Sequence, residues 1–137
     1  MSRMMLALAV LAVLTVLGCA AGPAGPGGAG PRPAAAADLL GRWYPADGTA
    51  QGRAFAEFAP DGGWTGSDGC NGQRGTWQLG PDGALSGTAG PSTLIACENV
   101  PIARWIATAA GVRIDDGALV FTDAGGAEMA RMVRDLP

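Results

Sequence analysis

The sequence predicts a mainly β fold with one helix: a curled antiparallel sheet, or partly open β-barrel, wrapped around that helix. Three observations predict it. From residue 38 onward the chain is punctuated by Asp-Gly pairs, at Asp61-Gly62, Asp68-Gly69, Asp82-Gly83 and Asp116-Gly117. Both members of the pair tolerate positive φ, so Asp-Gly between short apolar-bearing runs marks hairpins. The runs themselves are strand-sized and near-regularly spaced, as in an antiparallel sheet or barrel. One segment, before the last strands, has the period of a helix.

Strands are expected over residues 39–44, 54–59, 63–67, 75–79, 84–88, 118–122 and 128–134, with an eighth candidate at 112–115. The helix is expected between Asn99 and Gly111, where Ile102, Trp105, Ile106 and Ala109 fall at i, i+3, i+4 and i+7 on one face. Asn99 is placed to cap its start, Pro101 is tolerated in a first turn, and Gly111 suits the position after its end. Its apolar face is expected to press into the concave side of the sheet, against Trp43, Phe58, Trp77 and Phe121. The four tryptophans read as core packing rather than as a ligand platform.

Ahead of this region the chain reads as an address. Residues 1–18 have the form of a lipoprotein signal peptide, with Arg3 followed by an uncharged, mostly apolar run over residues 4–17. That run is shorter than the roughly 20 residues a bilayer-spanning helix needs. It ends at Val16-Leu17-Gly18-Cys19, which resembles the bacterial lipobox, so Cys19 is the expected lipidation site and membrane anchor. An ordinary secretory signal, cut near Ala20-Ala21-Gly22, is the alternative; either places the protein outside the cytoplasm. Residues 19–37 carry Gly, Pro and Ala and no large apolar side chain, so a disordered tether is expected there. The folded domain is expected over residues 38–137.

Cys70 and Cys97 remain once Cys19 is assigned to lipid. An even number of cysteines in an oxidising compartment points to a disulfide. Closing a loop of about 28 residues would contribute roughly 3.5 kcal/mol by the chain-entropy argument. Two structural free thiols, or a catalytic thiol, are the alternatives. Catalysis is disfavoured because the chain has no histidine to act as base, and the nearest cation, Arg74, cannot accept a proton. Ser67 and Asp68 fail as a nucleophile elbow for the same reason, since Thr65 replaces the first glycine and no base completes a triad. No metal and no cofactor is expected: two cysteines lack further ligands at recognisable spacing, and the Asp-Gly loops lack that of a calcium loop. The net charge of −3 and the absence of a basic cluster argue against nucleic acid.

Gly69-Cys70-Asn71, Gly75, then Thr93 and Cys97 in Thr-Leu-Ile-Ala-Cys, a short helix, and a closing Leu119…Asp123…Gly126 hairpin together resemble the META domain, the family of HslJ-type heat-shock lipoproteins. The resemblance covers residues 38–137. Ile95 stands where the family usually has methionine, a volume-conserving change. It implies a partly open barrel around a helix, a disulfide joining the two motif segments, no enzymatic activity, and loose links to envelope stress, antibiotic tolerance and secretion. The function expected on these grounds is non-catalytic binding or scaffolding by a monomer held at the bacterial cell membrane, with an envelope protein or apolar ligand as partner. The alternative is a small lipocalin-like carrier of an apolar ligand, suggested by Gly41-Arg42-Trp43, which resembles that family's opening G-x-W. Such a carrier needs an apolar cavity where this chain places a helix.

Overall fold

The computed structural model describes residues 30–136. The signal peptide, Cys19 and the first part of the tether lie outside the described residues. Nine strands form one sheet: β1 (Arg32–Pro33), β2 (Gly41–Pro45), β3 (Ala54–Phe58), β4 (Gly63–Asp68), β5 (Gly72–Leu79), β6 (Leu85–Gly87), β7 (Gly111–Asp115), β8 (Ala118–Thr122) and β9 (Glu128–Val133). Two helices accompany them, α1 (Ala36–Leu39) and α2 (Ile102–Thr108). The strand order is β1-β7-β8-β9-β2-β3-β4-β5-β6, and every neighbouring pair is antiparallel. The sheet curls back on itself, because Ala84 bridges Gly111 and the Leu85 N–H donates to Ala110 C=O at 3.0 Å. The expected curled sheet is present, and the eighth candidate strand is real.

The Asp-Gly signals act as read in the tight hairpins. Asp116 and Gly117, with φ of 49° and 77°, close the β7–β8 turn in the doubly left-handed conformation a two-residue hairpin requires. Asp82 and Gly83 do the same before β6. Strand β5 begins at Gly72 rather than at the expected residue 75, because its pairing with β4 continues to the Ser67–Gly72 register position.

Inward residues alternate along β2, β3, β4 and β9 and, with β8, which is buried along its length, meet α2 in a single core. Phe58, Trp64, Phe121, Leu119 and Met132 are fully buried there, with Ile102 and Ile106 from the helix. Trp43 and Trp77 join them, and each buried indole N–H finds a carbonyl: Trp43 donates to Leu39, Trp64 to Thr88, Trp77 to Gly63. Helix α2 packs on β3 to β6. Gly87 permits that approach, since a Cβ there would run into the Ile106 carbonyl.

The helix differs from expectation at three points. It spans only residues 102–108, and Asn99 does not cap it; the Asn99 amide donates to Cys97 C=O at 3.3 Å instead. Gly111 opens β7 rather than ending the helix, because the chain turns extended at Ala109. Trp105 is only partly buried, since so short a helix offers the core its Ile102–Ile106 edge and leaves position 105 at the rim. Ile106→Ala is therefore expected to lower unfolding free energy by about 3 kcal/mol, and Trp105→Ala by about 1 kcal/mol. Denaturant midpoints of the two variants check this ordering; a larger loss for Trp105→Ala would contradict it.

The folded part also begins before residue 38. Ala34 is buried and its N–H donates to Val112 C=O at 3.0 Å, while Arg32 holds Asp38 through two hydrogen bonds of 2.7 and 2.8 Å. Order here comes from backbone pairing and an ion pair, not from the apolar side chains whose absence suggested a tether. At the other terminus Arg134 lies 3.7 Å over the Trp43 ring and donates to the carbonyls of Asp38 and Arg42. The Gly41-Arg42-Trp43 segment thus serves as a clamp between β2 and the end of β9.

Candidate functional site

Strand β4 carries Trp64, Gly66 and Asp68 on its inward face, and Asp68 is 6 % exposed. Its carboxylate is saturated with donors. One oxygen accepts the N–H groups of Cys70 at 2.8 Å and Asn71 at 2.6 Å. The other accepts the side-chain amides of Asn71 at 3.2 Å and Gln73 at 3.4 Å. Burial pushes the Asp68 carboxyl up, but the donors from Asn71 and Cys70 outweigh it and hold the group below the usual carboxylate range. A charge without these donors would not be tolerated at such a place.

Asn71, 4 % exposed, passes this order outward. Its side-chain carbonyl accepts the Ile95 N–H at 2.7 Å, and its amide donates to Ile95 C=O at 3.2 Å. Cys70 is bonded to Cys97, with Cα atoms 6.5 Å apart. The flanks are pinned by Gly90 N–H to Arg74 C=O at 2.8 Å and by Val100 N–H to Asp68 C=O at 2.9 Å. Between these flanks, the Asn71 pair and the disulfide tie residues 91–97 to the domain.

The loop so held displays apolar side chains to water. Leu94 is 95 % exposed and Ile95 59 %. Single exposed apolar residues are ordinary, but an adjacent pair on a braced loop is not explained by the core. Residues 88–97 also carry no charge. The sulfurs of Cys70 and Cys97 are joined, and Asp68, the one buried carboxylate among the described residues, is fully engaged by donors.

Of the motif residues, Gly69, Cys70, Asn71 and Cys97 are brought together here by the Asp68 hydrogen bonds and the disulfide, and Thr93 sits exposed on the loop they hold. Gly69 has φ of +104° at the apex of the turn. Gly75 is apart, on β5, where a Cβ would strike the Thr88 carbonyl and the Trp64 indole, so its job is packing. The sequence reading noted Ile95 only as a replacement for the family's methionine, gave Leu94 no role, and considered Asp68 only as a turn residue and hydrolase candidate. The inward period of β4, which places Asp68 in line with Trp64, was the signal for its burial. An open groove of about 540 Å³ lies on the outer face beside the loop, bordered by Thr65, Arg74 and Thr88.

The family profile described as META domain matches residues 40–135. No curated protein and no solved structure matches the chain significantly.

Proposed function

Since the chain belongs to the META domain family, we propose that it is an envelope-anchored, non-catalytic binding or scaffolding protein whose contact surface is the loop at residues 91–97. One observation carries this reading. A buried carboxylate, a buried asparagine and a disulfide are all committed to holding an exposed Leu-Ile pair in place, an arrangement suited to recognition. The carrier reading has less support, because Ile102 and Ile106 of α2 fill the interior where a ligand would lie. The links to envelope stress, antibiotic tolerance or secretion belong to this proposal as its setting.

Anchoring is assigned to Cys19, since stable membrane attachment takes more than one acyl chain, which lipoprotein maturation supplies. Cys19→Ala is expected to move the protein from the membrane fraction to unprocessed precursor or to the medium. Fractionation with immunoblotting reads the result, and correctly processed, membrane-bound Cys19→Ala protein would refute the anchor.

A further inference from the structure

We propose that residues 93–96 form a substrate-shaped loop that occupies the cleft of a serine endopeptidase preferring a large apolar residue, with Leu94 in the specificity pocket. This rests on the reading of the domain as a binding module and names its partner by chemistry. The first argument is backbone geometry. Asn71 exchanges two hydrogen bonds with the N–H and C=O of Ile95, as one strand residue does with its partner. Both backbone groups of Ile95 are thereby turned toward the domain. In an extended chain the neighbouring residue turns its groups the opposite way. The Leu94 N–H and C=O have no hydrogen-bond partner among the described residues, beside a side chain that is 95 % exposed. A protease cleft reads those features: backbone groups that an edge strand can pair, and one protruding side chain.

Rigidity is the second argument. A flexible loop would be cut as a substrate, whereas a pre-ordered one gains affinity because little freedom is lost on binding. Here the ordering extends from Asp68 through Asn71 to Ile95, with Cys97 bonded to Cys70 two residues further on. Were water to add across the Leu94–Ile95 peptide bond, leaving a carboxyl on Leu94 and an amine on Ile95, the Ile95 side would stay in register through Asn71 and the disulfide. The Leu94 side would stay attached at its base through the Gly90 N–H to Arg74 C=O bond. The disulfide would keep both pieces in one molecule, so the reverse condensation would be intramolecular.

Placement is the third. In the alternating sheet order, β1 and β4 run in the same direction, so the chain enters from Gly30 at the end opposite the β4–β5 turn that holds the loop. The loop therefore lies at the end of the sheet remote from the point where the chain enters, clear of the segment leading back to Cys19.

The test titrates chymotrypsin, subtilisin and trypsin with the purified full chain, and reads residual hydrolysis of small chromogenic peptides. Saturable inhibition of chymotrypsin or subtilisin is expected, weakened about 100-fold or more by Leu94→Asp. Leu94→Arg should lose that inhibition and gain inhibition of trypsin, a swap that general stickiness would not produce. Leu94 is exposed, so neither variant should disturb folding, and unchanged thermal midpoints would verify that. Failure to inhibit either apolar-specific enzyme, or rapid cutting at Leu94–Ile95 without inhibition, overturns the proposal. So does binding to phosphatidylcholine vesicles that Leu94→Asp abolishes when no protease is inhibited. Peptide hydrolysis by the chain alone would instead overturn the non-catalytic reading on which the proposal stands.

Discussion

Asp68→Ala is expected to lower the unfolding free energy by about 4 kcal/mol and to release the contact loop as well. Removing the carboxylate strands the N–H groups of Cys70 and Asn71 and two side-chain amides in a buried place. Each donor left unsatisfied costs about 1–3 kcal/mol, with partial relief as water enters the gap. Asn71 then loses the partner that orients it, so exchange protection of the Ile95 amide should fall more than that of β8 amides in the core. Hydrogen exchange and denaturant midpoints measure the two effects. A variant that keeps Ile95 protection while losing stability would separate Asp68 from the loop.

The same carboxylate gives the stability an acid limb. Its folded pKa lies below the unfolded value of about 3.9, so its contribution is complete above that value and is lost as pH falls through the folded one. Asp38, which the Arg32 guanidinium holds down to about 2, adds a loss of the same sign. Wild-type stability should therefore fall as pH drops below about 4. Asp68→Asn should start lower and fall less steeply. An equally steep acid limb in that variant would assign the loss to other groups.

Much of the fold was legible because the strands here are short and bounded by Asp-Gly pairs whose left-handed preference is local chemistry. Trp43, Phe58, Trp77 and Phe121 were legible as core because strand period and size agree on them. What could not be read depends on distant partners. Residues 32–37 carry no apolar signal of their own, and their order comes from β7 and from Asp38. Trp105 was misplaced because helical period says which residues share a face, not how far a short helix extends past the sheet that covers it. The site divides the same way. Cys70 and Cys97 were legible by counting thiols, and their motif neighbours by resemblance. Leu94 and Ile95 resemble any apolar pair until Asn71 is seen to hold Ile95 from across the fold.

Loss of the disulfide, by Cys70→Ala with Cys97→Ala, is expected to lower unfolding free energy by about 3.5 kcal/mol. The thermal midpoint should drop by roughly 15–25 °C, as a domain near a hundred residues shifts by several degrees per kcal/mol. The two cysteines are 27 residues apart in sequence, and the link acts mainly on the unfolded chain, whose freedom it restricts. Both half-cystines are partly exposed, so alanine there leaves little cavity, and the native core from Trp64 to Ile106 is untouched. The variant should accordingly remain folded, with unchanged β8 protection. Its loop, now tied through Asn71 without the covalent brace, should exchange faster and should be cut at Leu94–Ile95 by chymotrypsin far sooner than the bonded protein. Reduced and alkylated wild-type protein should match the variant in both respects, because each removes the same constraint. Two thiols found free before reduction, or a double variant within about 1 kcal/mol of the parent, would deny the disulfide this role and leave Asp68 and Asn71 as the loop's support.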